Sequence, residues 1–114
     1  MDRLNQEEIG VISKIVNNLP LSEKQKIIDD INNSKIIIEN EDRSIIKFQI
    51  LNYIRPSSGQ VPYDVEGQVF DSDGAKLSVI LYVDSNFRIL EFELVKYDDG
   101  PVINPVWETF CIIK

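Results

Sequence analysis

Residues 66–102, EGQVFDSDGAKLSVILYVDSNFRILEFELVKYDDGPV, decide the fold, because apolar and polar residues alternate through them in runs separated by turn residues. Alternation with a period of two is the pattern of a half-buried strand. The first run starts slightly earlier, with Tyr63, Val65 and Val69 set against Asp64, Glu66 and Gln68. Ser72-Asp73-Gly74 suits a three-residue hairpin loop in which glycine takes the positive-φ position. That loop sets Val69 opposite Leu77 and Val65 opposite Leu81, so the apolar sets share one face, whereas a two-residue turn would mismatch them. Leu77, Val79, Leu81 and Val83 then form an inner face, followed by Leu90, Phe92 and Leu94 across the turn Asp84-Ser85-Asn86-Phe87. With Val83 opposite Leu90, Tyr82 becomes the outward neighbour of Glu91, and Ile80 that of Glu93.

Upstream, the period is helical. Ile9, Ile12, Ile15, Val16 and Leu19 predict an amphipathic helix over 6–18, opened by Asn5 and Glu8 at capping-box spacing. Pro20 separates it from a second helix over 22–33, with Ser22 and Gln25 as its start signal and Ile27, Ile28 and Ile31 as its stripe. Strands follow at Ile36-Ile37-Ile38 and from Ile46 to Asn52. Downstream, Val106 to Ile113 is apolar on both faces, which predicts a central strand or one lying beneath the helices. The expected fold is α+β, with two N-terminal helices packed on an antiparallel meander sheet of five or six strands over 35–113. Residues 1–114 read as one domain, since no linker or repeat interrupts them.

The composition points away from catalysis. The 114 residues contain no histidine and one cysteine, with 19 acids against 12 bases for a net charge of −7. Histidine is the side chain best suited to proton transfer near neutral pH. The imbalance is concentrated late: residues 61–114 carry 10 acids and 4 bases. A surface of that sign repels phosphate, so nucleic acid and anionic membranes are poor partners and a basic protein is a good one. No apolar run is long enough to span a bilayer, and the acidic start lacks the apolar stretch of a secretory signal, so a cytoplasmic location is expected.

Particular residues narrow the chemistry further. Asp71-Ser72-Asp73-Gly74 resembles the opening of a calcium loop, but Lys76 stands where that loop needs glycine and Tyr82 where it needs a bidentate acid. A hairpin is the better reading. Cys111, flanked by Phe110 and Ile112 with no activating base, reads as a buried, inert thiol. Trp107 reads as a core anchor. Glu91 and Glu93 project from one strand face about 7 Å apart, a spacing seen in glycosidases, although such carboxylates need a cleft deeper than this sheet offers. No phosphate loop, dinucleotide fingerprint or Cys/His metal cluster is present. Catalytic residues, metal and cofactors are therefore all expected to be absent. The candidate partner-binding set is Tyr53, Glu66, Tyr82, Glu91 and Glu93 on the outer face, with Asp71, Asp73, Asp98 and Asp99 at the turns. The competing expectation is that a helix or the last strand covers those tyrosines. Tyrosine supplies contact area at low entropic cost, and the carboxylates could pair with arginine or lysine. A small regulatory or scaffold domain, homodimeric through the same face, is the alternative. A hydrolase or isomerase working with carboxylates alone is a third.

The opening DRLNQEE (residues 2–8), together with Asp71, Asp73, Gly74, Leu81, Val83, Asp84, Leu90, Glu91, Glu93, Lys96, Tyr97, Asp98 and Pro101, resembles small bacterial immunity proteins of contact-dependent growth inhibition and other polymorphic toxin systems. The likeness covers about half the chain. Asp99 is an extra residue before the glycine, and Phe92 stands where smaller residues are also common. The resemblance implies a protein without catalytic residues that binds a cognate toxin and occludes its active or substrate-binding site. A basic nuclease is the toxin that this acidic chain would suit.

Overall fold

The structure, a computed structural model, describes residues 2–57, 59–62, 65–98 and 100–113. Two helices, α1 (Gln6–Val16) and α2 (Leu21–Asn32), precede seven strands: β1 (Ser34–Ile38), β2 (Ile45–Ile50), β3 (Gln60–Pro62), β4 (Gly67–Asp71), β5 (Lys76–Asp84), β6 (Ile89–Lys96) and β7 (Pro105–Ile112). Six strands form one open antiparallel sheet in the order β1-β2-β6-β5-β4-β7, and the short β3 pairs with β5 beside β4. The α+β fold is the expected one. Only β4-β5-β6 is a true meander, since β2 joins β6 and β7 turns back to β4.

Helix α1 begins where the sequence places it. Asn5 Oδ1 accepts from the Glu8 N–H at 2.8 Å and Glu8 Oε1 accepts from the Asn5 N–H at 2.9 Å, a complete capping box. Glu8, 1% exposed, also takes two bonds from Arg43, which ties the helix start to the β1–β2 turn. Helix α2 departs from expectation: it starts at Leu21 after Pro20, with no side-chain cap. Proline's fixed φ starts the chain without Ser22.

The apolar stripes of both helices lie on one sheet face. Val11, Ile12, Ile15, Val16 and Ile27 join Ile46, Phe48, Val69, Leu77, Val79, Leu81 and Phe92 in a continuous core. The Ser72–Gly74 loop is the three-residue one, closed by the Asp71 N–H to Ala75 O bond, with Gly74 at φ 87° and Val69 opposite Leu77. The β4 ladder ends at Gly67, so Val65 is not paired with Leu81; β3 takes over the edge of β5, where Val61 faces Val83. The expected place of Tyr63 lies outside the described residues.

Tyr82 faces Glu91 and Ile80 faces Glu93 as expected, and the difference is confined to the hairpin end. Val83 faces Ile89, not Leu90, because Asp84 closes onto Arg88 around a second three-residue loop, and a bulge follows. Leu90 is thereby turned out of the core and Ile89 into it. Strand β7 is neither central nor fully covered; it is the sheet edge beside β4, with α1 packed against it. Its ladder shifts between Gln68 and Phe70, where Thr109 Oγ1 accepts the Phe70 N–H and donates to Val106 O. The bulged stretch explains why both faces read as apolar. Trp107 and Phe110 both pack partly against the core, and Cys111 is exposed, not buried.

Phe110 lies where a Cβ on Gly67 would be. Gly67→Val should therefore displace the ring and cost about 1–3 kcal/mol in urea denaturation, as overpacking does. The same substitution in a Phe110→Ala background should cost less.

Candidate functional site

The sheet face opposite the helices is where the outward residues of β2, β6 and β5 line up. Register places Glu91 between Lys47 and Tyr82, and Glu93 between Ile45 and Ile80. Cross-strand neighbours in such rows are in side-chain contact. Tyr82, Ile80, Ile45, Glu93 and Glu66 all keep partial exposure. Neither a helix nor β7 covers them: the helices lie on the other face, and β7 stands beyond β4.

The charges on this face are crowded. Burial raises the Tyr82 hydroxyl above its ordinary pKa, and Glu93, Glu91 and Glu66 push it further. Four of the expected residues, Glu66, Tyr82, Glu91 and Glu93, are thus brought together. Burial also raises Glu91, followed by repulsion from Glu93, and these outweigh the attraction of Lys47. Lys47 itself bonds Glu39 at 3.4 Å.

Glu91 differs from every other buried charge. Glu8, Asp30, Asp71, Asp84 and Lys96 are each tied by several hydrogen bonds. Asp30 holds Arg88 through two and accepts the Ile89 N–H. Asp84 accepts from Tyr53, Arg55 and the Asn86 and Arg88 N–H groups. Glu91, 8% exposed, is in no hydrogen bond or ion pair with another described residue, yet no buried side-chain oxygen among them is left unsatisfied. It is thus held less tightly than the other buried charges without being a sealed, uncompensated one.

The remaining expected residues are placed elsewhere. Tyr53 belongs to the β5–β6 hairpin end: its hydroxyl donates to Asp84 at 2.7 Å and its ring lies under the Arg88 guanidinium, 4.5 Å from the centroid. Arg55 braces the same end, donating to Asp84, to Ile89 O and to Phe48 O. Tyr53 is therefore a structural tie and not a member of the glutamate cluster.

Asp71 is likewise unavailable to a partner. It is 2% exposed, and its oxygens take Lys96 at 2.9 Å and the N–H groups of Ser72, Ile103 and Asn104. Asp73 is exposed but shares Lys96 at 2.7 Å. Lys96 also donates to Pro101 O. This cluster locks the β4–β5 turn to the loop leading into β7. Asp98 is exposed and accepts the Gly100 N–H in its turn, while Asp99 lies outside the described residues.

Sequence reasoning missed the Arg88–Asp30 and Arg55–Asp84 pairs, whose partners are 58 and 29 residues apart. No local signal marks them. Lys47 was within reach, because alternation in β2 already turned it outward.

Among the described residues no group of three acids, cysteines or histidines is arranged to hold a metal ion. No helix among them is long and apolar enough to cross a membrane. A family model described as a domain of unknown function, DUF6984, matches residues 1–105, which takes in both helices and the strands from β1 to β6. No curated protein and no solved structure matches the chain.

Proposed function

The chain belongs to the DUF6984 family, a domain of unknown function, and for this member we propose a toxin-neutralising immunity protein that docks a basic partner on its open sheet face. The observation that carries the reading is the acidic group on the outer sheet face, where Glu91 lies across from Tyr82 and Glu93 and Glu66 act on the same hydroxyl. An arginine or lysine from another molecule would offset that charge. The net charge of −7 supports the same reading, since opposite charge raises association rates by about 10 to 10³.

The mechanism is occlusion. Glutamates on the face occupy the groove where the toxin's lysines and arginines would otherwise hold substrate phosphates, and Tyr82 and Ile80 supply the apolar contact. No bond is made or broken. The place of action is the cytoplasm of the producing cell.

The alternative of a homodimer through this face is disfavoured by its charge. A two-fold contact presents the same patch to itself, which would set Glu66, Glu91 and Glu93 against their own copies. A scaffold role with another partner would use the same chemistry but protect nothing.

The test is co-expression with the product of the gene adjacent and upstream. Survival of cells that otherwise die, together with a co-purifying complex, is the expected result. Cell death at undiminished rate with no complex would remove the toxin from the proposal.

A further inference from the structure

We propose that β1 pairs antiparallel with the β1 of a second copy of this chain across a two-fold axis, joining the two sheets edge to edge. The inference goes beyond the docking reading and uses a different surface, the rim of the sheet in place of its outer face.

The first argument is the backbone. Strand β1 ends the sheet, with β2 as its only neighbouring strand among the described residues. The Glu39 N–H reaches Ile45 O, and the Leu51 N–H reaches Asn33 O. Peptide groups alternate in direction along an antiparallel strand, so odd-numbered residues face β2, and Ile36 and Ile38 direct theirs away from it. The Ile38 N–H is in fact met on that open side, at 2.9 Å, by the carboxylate of Asp2. An acceptor thus already stands where a neighbouring strand would place a carbonyl.

Unpaired edges are templates for another strand, and proteins guard them with bulges, proline or charge. The opposite edge strand, β7, carries Pro105 and an irregular ladder. Strand β1 has no proline and pairs regularly with β2 throughout its length. Its one guard is Lys35.

The second argument is charge, which selects both the occupant and the register. Lys35 is exposed and in no ion pair among the described residues, and Glu39, also exposed, holds Lys47 only at 3.4 Å. Exposed pairs of that kind contribute little. With Ile37 opposite its own copy at the two-fold, Lys35 of each chain falls opposite Glu39 of the other, twice by symmetry. The same register makes Ile36 and Ile38 hydrogen-bonded partners, with their side chains on the helix side. Moving the two-fold to Ile36 would set Lys35 against Ile37, and moving it to Lys35 would set lysine against lysine. A strand from a basic partner would bring its cations against Lys35, so the second copy is the better fit.

Sedimentation equilibrium of the full chain over a concentration series tests the pairing. The expected result is a reversible monomer–dimer equilibrium. Lys35→Glu should weaken it about 10-fold, and adding Glu39→Lys should bring it back to within about 3-fold of the parent, because opposite charges then face each other again. Asp2→Ala should tighten association by freeing the Ile38 N–H for the neighbouring chain. Ile36→Pro removes an N–H that makes no bond to β2, so it should abolish the dimer while circular dichroism keeps the strand signal. A monomer up to millimolar concentration, or a dimer whose strength ignores Lys35→Glu, would overturn pairing through β1. The toxin reading stands or falls separately, by co-expression.

Discussion

Lys96→Met is expected to destabilise the fold by about 3–5 kcal/mol, the usual cost of removing one partner from a buried ion pair. The side chain is 4% exposed and is the only cation on Asp71 among the described residues, Asp71 itself being 0% exposed at its side chain. Without it the carboxylate stays buried with its charge uncompensated, and the β4–β5 turn loses its link to Pro101. Urea denaturation should show a lower midpoint with an unchanged slope. Asp71→Asn combined with Lys96→Met should recover part of the loss, because the unpaired charge is then gone. An additive double mutant would show that the two side chains act independently.

The same pair sets an acid limit. Burial by itself would raise the Asp71 pKa, but the Ile103 N–H, Lys96, and the Asn104 and Ser72 N–H groups together outweigh it and hold the carboxyl at about 2. The ordinary carboxylate value is 3.8, so folding lowers the pKa and the unfolded chain binds the proton more readily. The contribution is complete above about pH 4 and is lost as pH falls toward 2, on the order of 2 kcal/mol in all. In Asp71→Asn this part of the acid dependence should vanish.

The second large effect is expected at the open face. Glu91→Lys with Glu93→Lys should weaken partner binding at least about 30-fold, corresponding to ~2 kcal/mol or more for a lost interfacial charge pair. Association should slow and its dependence on salt should flatten, because the steering field is reversed. Surface-immobilised partner and a salt series would measure both. The denaturation midpoint of the isolated variant separates lost docking from lost folding. Association rates unchanged from the parent would place the docking face elsewhere.

Much of this architecture was legible because it is local. Alternation from Gln68 to Lys96 fixes which residues turn inward, and Gly74 announces the hairpin that sets Val69 against Leu77. The Asn5–Glu8 box is visible at a spacing of three. The β5–β6 register was legible from Ile80–Glu93 to Tyr82–Glu91, but the hairpin end was not, because Phe87 occupies the left-handed conformation, at φ 59°, where glycine would have signalled a three-residue loop. Strand β7 misled for a related reason: a side chain, Thr109, replaces a backbone partner there, so the alternation expected of an edge strand is broken. The candidate site divides along the same line. Tyr82, Glu91 and Glu93 follow from strand periodicity and one hairpin. The structural roles of Tyr53 and Asp71 depend on arginines, a lysine and backbone groups brought in from distant parts of the chain.

Strand order also governs how the ribosome can deliver this molecule. Lys47 of β2 stands opposite Glu91 of β6 in the ladder, so the hairpin made first must wait for a strand synthesised much later. Until residue 96 emerges, the early β1–β2 hairpin has no mate on its inner side, and Ile27, Ile46 and Phe48 have little to bury against. The nascent chain is therefore most exposed to misassembly in the interval before β6 is made, and the sheet closes like a zipper from β4–β6 back onto β1–β2 rather than growing from the front.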